Sequence, residues 1–350
     1  MRVAHCEPLA PWAVMRCSLD DAAATTVIVK WLREDPRGFR IDPRQIATEQ
    51  AALEFLAEIG FPHAPRLIAA DLSNGVLVLE DLSPRTPLSD RLRDRGLAAC
   101  KPQLLVYARV LGELGAATAG KGARYGAIRA GLGPEDPAVA GERGLGPDWP
   151  DARRLLEQQG LAIPSVADHD LAEVLATLLD PGPFLALSNG DTQVNNLLID
   201  GEDGRLIDFE AASFRHALTA AVLIHVPGPH WITVADPFNA DLEDAYRRAL
   251  SEGVAEAQDD RRFGAGLAAA SLAWACDRLS RFALVDSRAA GDDSRVQLVA
   301  TLEAAAGVAH RHRAFPQLAG WQERAAQWLR RRWPDADVDL AALRPYTPRR

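Results

Sequence analysis

Residues 188–200 read SNGDTQVNNLLID, and residues 206–210 follow with LIDFE. Together they place Asp191, then Asn196, then Asp208 at the edges of short apolar runs. Carboxylate and amide oxygens suit Mg²⁺, which needs few protein ligands because phosphate oxygens and water complete its shell. The spacing therefore predicts a phosphoryl-transfer site in which one acid meets a substrate hydroxyl. Taken alone, the motif also fits an ordinary turn, where Asp and Asn are common.

A lysine in a predicted strand upstream adds weight to this interpretation. Residues 25–32 read TTVIVKWL and are rich in β-branched residues, which favours a strand that contains Lys30. An ammonium among apolar neighbours needs an anion to offset its desolvation. Residues 46–59 have the apolar period of a helix, with Glu49 in its first turn. The alternative is that Lys30 snorkels from an edge strand and Glu49 is solvated.

A second predicted strand follows at residues 74–83, which read NGVLVLEDLS. The Asn-Gly pair predicts a tight turn, and the apolar run after it indicates a buried strand that ends in acidic residues. An ordinary core strand with a polar exit would have the same pattern.

The order of these parts resembles the aminoglycoside phosphotransferase and choline kinase superfamily, the small-molecule branch of the protein-kinase-like fold. The family signature H-G-D-x-x-x-x-N, followed by D-F/W-x, reads N-G-D-T-Q-V-N-N and D-F-E here. By this resemblance Asp191 would be the catalytic base or hydroxyl-positioning acid, and Asn196 and Asp208 would hold Mg²⁺. Asn189 stands where the family has His, which puts the usual bracing of the catalytic loop in question.

The resemblance also implies an ATP site. Lys30 would contact the α- and β-phosphates and Glu49 would pair with it. Leu79 would line the back of the adenine pocket, and the backbone from Glu80 to Leu82 would meet the adenine edge.

The glycine-rich loop that normally covers the phosphates is missing, since residues 1–11 contain no glycine. Either small residues other than glycine around His5 to Ala10 form the loop, or Lys30 and the metal hold the phosphates. The alternative function is a catalytically silent kinase-like protein that binds a nucleotide or a partner. Such a descendant is expected to lose Lys30, Asp191 or Asp208, and this chain keeps all three.

Composition sets the class of protein and its partners. The chain has 350 residues, 48% hydrophobic and 25% charged, as in soluble globular proteins. Its net charge of −9 argues against nucleic-acid binding and favours, weakly, an amine-bearing acceptor such as an aminoglycoside or amino alcohol. Four scattered cysteines and the lack of a signal-like or membrane-spanning segment predict a cytoplasmic protein with reduced thiols.

The predicted fold is α+β and bilobal, with a small, mainly β N-lobe at residues 1–82 and a larger, mainly helical C-lobe at 83–350. The N-lobe would bind nucleotide, and the C-lobe would carry catalysis and bind the substrate. Residues 120–150 are dense in Gly and Pro and predict a surface insertion. Residues 115–122 approach the phosphate-loop pattern G-x-x-x-x-G-K-[S/T], but Gly122 replaces the hydroxyl residue and a helix precedes it, so we interpret them as a helix end.

Overall fold

The structure is a computed structural model that describes residues 3–10, 14–20, 26–31, 43–134, 145–234 and 236–349. Predicted strand residues Trp12, Thr25 and Leu32 lie outside these ranges, as does the middle of the predicted insertion at 135–144.

The N-terminal part is an antiparallel five-stranded sheet with strand order β1-β2-β3-β5-β4. Its strands are β1 (Val3–Ala10), β2 (Val14–Leu19), β3 (Thr26–Trp31), β4 (Leu67–Asp71) and β5 (Val76–Glu80). Lys30 lies in β3 between Val14 of β2 and Leu77 of β5. The β-branched run of β3 thus occupies the centre of the sheet, as its composition favours.

The larger part is mainly helical. Its helices are α2 (Leu88–Ala99), α3 (Lys101–Thr118), α4 (Gly122–Gly131), α5 (Trp149–Gln158), α6 (Ser165–Leu179), α7 (Val222–His225), α8 (Asn239–Ser251), α9 (Asp260–Leu279), α10 (Phe282–Asp286), α11 (Asp293–Arg311) and α12 (Pro316–Arg332). Two small sheets join β6 (Thr86–Pro87) to β8 (Leu197–Asp200) and β9 (Asp203–Leu206), and β7 (Leu185–Ser188) to β10 (Ser213–His216). The predicted α+β division into a small sheet part and a large helical part is confirmed.

Helix α1 (Pro43–Glu58) connects the two parts. The ring of Phe55 meets the rings of Tyr125 and Phe214 edge to face, at centroid distances of 5.9 and 6.0 Å. The buried Arg129 donates from Nε to Thr48 Oγ1 at 3.1 Å. Although α1 follows the N-terminal strands in the chain, its packing partners therefore include α4 and β10 of the helical part.

The segment predicted as a surface insertion at 120–150 needs a correction. Residues 122–131 form helix α4, which packs against α1 and buries Tyr125 and Arg129. Its glycines disfavour a helix, but the burial of Tyr125 and Arg129 against α1 offsets this cost. The neighbouring prediction is confirmed, since α3 ends at Thr118 and residues 115–122 form a helix end rather than a phosphate loop.

Two of the cysteines face each other. Cys6 of β1 and Cys17 of β2 are paired in the antiparallel ladder, and their sulfur atoms lie 2.8 Å apart as free thiols. Sequence spacing gave no sign of this pair. Within the described residues, no helix is both long and apolar enough to span a bilayer.

Candidate active site

A crevice of about 530 Å³ lies between the five-stranded sheet and the helical part. Apolar side chains line one portion of it, among them Ile28, Leu79 and Leu198. Charged side chains line the other portion, and they include Lys30 and Asp208. The crevice thus offers an apolar surface next to a concentrated group of charges.

Lys30 is the centre of that charged group. Its Nζ lies 2.7 Å from Glu49 Oε2, 2.5 Å from Asp208 Oδ1 and 2.9 Å from Glu210 Oε2. The side chains of Asp208 and Glu210 are about one third exposed, whereas that of Glu49 is 2% exposed. Three distant segments of the chain therefore meet at one ammonium.

Burial and charge act in opposite directions on these groups. Burial alone would lower the pKa of Lys30, but the carboxylates of Glu49, Asp208 and Glu210 outweigh it and hold that pKa well above its ordinary value. Burial raises the pKa of Glu49, and the neighbouring Lys30 opposes the rise. Lys30 is therefore a permanent cation in the crevice, which suits a group that binds an anion.

The segment that carries Asp191 begins where β7 ends, and Asn189 braces it. Asn189 is fully buried, and its Nδ2 donates to the backbone oxygens of Asp191 at 2.9 Å and Ile207 at 3.4 Å. The side chain thus ties the segment of Asp191 to the segment that carries Asp208. Asn189 supplies a brace at the position where the resembled signature has His.

Gly190 allows the chain to turn tightly before Asp191. Its φ is +86°, and a Cβ at this position would lie 2.2 Å from the backbone oxygen of Ala211. Both the left-handed conformation and the close approach exclude a side chain here. The turn therefore fixes the position of the Asp191 backbone, from which its carboxylate extends.

Side chains around Asp191 are held by further hydrogen bonds. Asn196 Nδ2 donates to the backbone oxygen of Asp191 at 3.0 Å, and its Oδ1 accepts from Asn195 at 2.8 Å. Gln193 Nε2 donates to Asp191 Oδ1 at 3.0 Å, and the Tyr107 hydroxyl donates to the backbone oxygen of Thr192. The loop is thus pinned from its own residues and from α3.

Asp208 has a backbone conformation that is rare for residues other than glycine, with φ at 65°. Such conformations cluster at functional sites, where surrounding contacts maintain them. Here the ion pair with Lys30 holds the side chain, and the next backbone N–H, from Phe209, donates to Glu49 Oε1 at 3.3 Å. Glu49 therefore contacts both the lysine and the backbone beside Asp208.

The predicted adenine-binding residues line the same crevice. Leu79 and Leu82 are buried and Glu80 is half-buried. The backbone N–H of Glu80 already donates to the backbone oxygen of Arg66 at 2.9 Å. The N–H of Glu80 is therefore already used, and a base could bind only the later backbone groups, from the Glu80 carbonyl to Leu82.

Most of the predicted site residues come together, and some functional neighbours were missed. Lys30, Glu49 and Asp208 are in direct contact, and Asn196 bonds to the backbone of Asp191. Sequence reasoning gave no role to Glu210 or to Gln193. Residues His5 to Ala10, one of the two predicted substitutes for the glycine-rich loop, belong to strand β1, and residues 11–13 lie outside the described residues. Leu9 and Val14, on either side of residues 11–13, line the crevice.

The fold has solved relatives. A choline/ethanolamine kinase family protein from Mesorhizobium loti aligns over 92% of this chain and 93% of its own, at 18% identity and a TM-score of 0.52. A macrolide 2'-phosphotransferase from Brachybacterium faecium aligns over 87% and 91%, at 16% identity and a TM-score of 0.46. An amicoumacin kinase in complex with AMP-PNP, Ca²⁺ and Ami aligns over 86% and 87%, at 10% identity and a TM-score of 0.48. The first alignment confirms the predicted kinase-like fold.

A search of curated proteins found no match to the sequence. A family profile described as "Phosphotransferase enzyme family" matches residues 20–258, which include strands β3 to β5, most of the residues that line the crevice and the segment that carries Asp191. The chain therefore belongs to the phosphotransferase enzyme family.

Proposed function

We propose that this protein transfers the γ-phosphoryl group of ATP, as its Mg²⁺ complex, to a hydroxyl group of a small molecule. The observation that carries the proposal is the contact of Lys30 with Glu49 and Asp208 in a crevice that also has an apolar wall. Lys30, braced by Glu49, would bind the phosphates, and Leu79 with the Glu80–Leu82 backbone would bind the base. We likewise propose residues 1–82 as the nucleotide-binding lobe and 83–350 as the catalytic and substrate-binding lobe.

The carboxylates around Lys30 are donors of the kind that a magnesium ion takes. Glu49, Asp208 and Glu210 each offer one carboxylate oxygen within 4.8 Å of the others, and all three carboxylates contact Lys30 Nζ. Hard oxygen donors are those that Mg²⁺ prefers. Asp208 and Asn196 are the residues we propose as ligands, with Glu210 as an additional acid near them. When bound, the ion would neutralise charge on the phosphates.

Asp191 is the proposed catalytic residue. It would orient the acceptor hydroxyl and take its proton as the acceptor oxygen bonds to the γ-phosphorus and the bond from that phosphorus to ADP breaks. Its backbone oxygen accepts from Asn189 and Asn196, and its carboxylate accepts from Gln193. These hydrogen bonds hold the carboxylate in place before the acceptor arrives, so that catalysis is chiefly a matter of positioning and charge neutralisation.

The test measures ADP release from Mg-ATP with a panel of sugars, amino alcohols, aminoglycosides and hydroxy acids. Asp191→Asn is compared with Asp200→Asn, since Asp200 is exposed at the end of β8. We expect Asp191→Asn to lower turnover by about 10²- to 10⁴-fold while the control keeps wild-type turnover. Equal turnover in the two variants would show that the assignment of Asp191 is wrong.

A binding measurement separates an enzyme from a silent relative. Mg-ATP at about a hundred times its dissociation constant should stabilise the wild type and Asp191→Asn by about 2.7 kcal/mol in thermal unfolding. Chelation of Mg²⁺ should reduce this effect. Stabilisation without turnover on any acceptor would favour the silent kinase-like alternative, and no stabilisation of the wild type would contradict the nucleotide site itself.

A further inference from the structure

Four arginines line a small cavity of about 50 Å³ in the helical part. They are Arg278, Arg281, Arg288 and Arg349, which we call the arginine pocket. The other described side chains that line it are apolar or carry a hydroxyl or amide group, and none of them is acidic. In a chain whose net charge is −9, this is a local concentration of positive charge.

The pocket is assembled from distant parts of the chain. Arg278 lies at the end of α9, Arg281 precedes α10 and Arg288 follows it. Arg349 comes from the C-terminal tail, which is fastened by hydrogen bonds from Arg349 N to the His230 oxygen at 2.8 Å and from Ile232 N to Thr347 O at 3.1 Å. The tail backbone is therefore fixed in place, and it delivers Arg349 to the other three arginines.

The positive charges of the pocket are only partly balanced. Arg288 lies 3.3 Å from Asp292, and the guanidinium of Arg278 lies over the Trp274 ring. Asp277 also acts on Arg278, and Asp292 and Asp293 act on Arg349, so three nearby acids face the four arginines. Burial, with the neighbouring Arg281 as the next cause, lowers the pKa of Arg278 to about 10. Burial and Arg288 lower the pKa of Arg349 in the same direction. Like charges that are crowded and partly buried are relieved by a bound anion.

A chain of hydrogen bonds connects the pocket to the loop that carries Asp191. Gln193, which donates to the Asp191 carboxylate, accepts from the backbone N–H of His230 at 3.2 Å. The backbone oxygen of His230 accepts from Arg349, and the Arg349 side chain donates to Gln297 in the pocket at 3.4 Å. The pocket shares no lining residue with the Lys30 crevice among the described residues. An anion bound there is therefore distinct from the phosphates that Lys30 would bind.

We propose that the arginine pocket binds an anionic group of the acceptor, a carboxylate or a phosphate, whose hydroxyl is then presented to Asp191. This inference rests on the proposed phosphotransferase function and names its substrate class. A water needs about 10–15 Å³, so the cavity has room for roughly four water-sized groups, which is the scale of one such anion. Arginine matches carboxylate and phosphate oxygens with paired N–H donors.

The proposal replaces the expectation that net charge favours an amine-bearing acceptor. Net charge acts over the whole surface and governs solubility and steering, whereas affinity depends on the groups that the acceptor touches. The arginines of the pocket would repel a purely cationic acceptor. An acceptor that carries both an amine and an acid remains compatible with the pocket.

The first experiment measures anion binding without any acceptor. Inorganic phosphate is added to protein saturated with Mg-AMP-PNP, which fills the nucleotide crevice, and thermal unfolding is compared with chloride at equal ionic strength. We expect phosphate to raise the Tm of the wild type and of the control Arg324→Gln, an exposed arginine of α12. The rise should be absent in Arg278→Gln and reduced in Arg281→Gln, whose exposed side chain is removed without loss of core packing. No rise in the wild type, or equal rises in all variants, would overturn the proposal.

The second experiment measures ADP release with matched acceptors, namely glycerate against glycerol and a sugar phosphate against its sugar. We expect the anionic member of a pair to be preferred, and the two pairs distinguish carboxylate from phosphate. Arg278→Gln should raise the KM of the preferred acceptor about tenfold or more with little change in kcat, because a charged hydrogen bond is lost. Turnover of neutral or purely cationic acceptors that depends on Asp191 but not on Arg278 would overturn this inference and leave the phosphotransferase proposal intact. Failure of Mg-ATP to bind would overturn the phosphotransferase proposal and, with it, the assignment of the bound anion to an acceptor. Phosphate binding that depends on Arg278, measured without nucleotide, would then show an anion site with no link to phosphoryl transfer.

Discussion

Replacing Lys30 with methionine removes the ammonium that Glu49, Asp208 and Glu210 share. Asp208 and Glu210 are about one third exposed. Water can therefore solvate their carboxylates once Lys30 is removed, and the loss of these two ion pairs lowers the free energy of unfolding only a little. Glu49 is different, because its side chain is 2% exposed and its carboxylate would be left without a cation. Most of the cost of Lys30→Met therefore comes from Glu49.

Protonation of Glu49 sets an upper limit to that cost. Its carboxyl group has an ordinary pKa of 4.5, and burial raises the pKa in the folded state, more so once Lys30 no longer opposes the rise. Keeping the Glu49 carboxyl group protonated in the folded state lowers the free energy of unfolding by about 1.36 kcal/mol for each pH unit above the ordinary pKa. The cost is about 3 kcal/mol at pH 7 and less than about 1 kcal/mol at pH 5. A raised folded-state pKa means that stability is present at low pH and is lost as pH rises through the folded-state pKa. Lys30→Met should therefore be more destabilised at pH 7 than at pH 5.

Urea unfolding followed by circular dichroism at both pH values measures the effect. The matched control is Lys101→Met, because Lys101 pairs with Asp241 at 2.6 Å but both side chains are exposed. Such a pair contributes less than about 1 kcal/mol. If Lys30→Met lost no more stability than this control at pH 7, or lost the same amount at pH 5 as at pH 7, the argument that Glu49 depends on Lys30 would be refuted.

Three further predictions follow from the loop and the sheet. Gly190→Ala should destabilise the protein by about 2 kcal/mol or more in thermal unfolding and should lower turnover. The control is Gly126→Ala in α4, where nothing obstructs a side chain, and it should stabilise the protein by about 0.5–1 kcal/mol. Asn189→Leu should cost about 1–3 kcal/mol in urea unfolding, since two backbone oxygens lose their buried donor; a cost near zero would show that Asn189 is not a brace. A mild oxidant such as diamide should remove two titratable thiols by joining Cys6 to Cys17, because paired strand positions lie within disulfide range, and Cys17→Ser should prevent this loss.

The positions of Lys30, Glu49 and Asp208 were predictable because the local sequence pattern determines the strand, the helix and the strand end that carry them. The β-branched run predicted the strand of Lys30, the apolar period predicted the helix of Glu49, and short apolar runs predicted the strand ends near Asp191 and Asp208. The irregular segment after Asp208 has no periodicity, so the direction of Glu210 toward Lys30 was not predictable. The same holds for helix α4, where glycine content suggested a surface segment although tertiary packing favours a helix.

The arginine pocket shows a different limit of sequence reasoning. Helices α10, α11 and α12 and the tail all lie between Arg278 and Arg349 in the chain, and only the packing of these elements brings the two arginines together. No spacing rule connects side chains across such a distance. The Cys6 and Cys17 thiols were missed for the same reason, because strand register is a property of the sheet and not of the interval between the two residues.

The attachment of α1 to the larger part limits how activity could be regulated. Glu49 is carried by a helix that Phe55, Thr48 and Glu58 fasten to α4 and β10. An outward movement of this helix would separate Glu49 from Lys30. It would also have to break the packing of Phe55 on Phe214 and the buried hydrogen bond from Arg129 to Thr48. The packing of α1 therefore maintains the contact between Lys30 and Glu49. If the protein is the phosphotransferase proposed above, the concentrations of nucleotide and acceptor, rather than a helix movement, would control its activity.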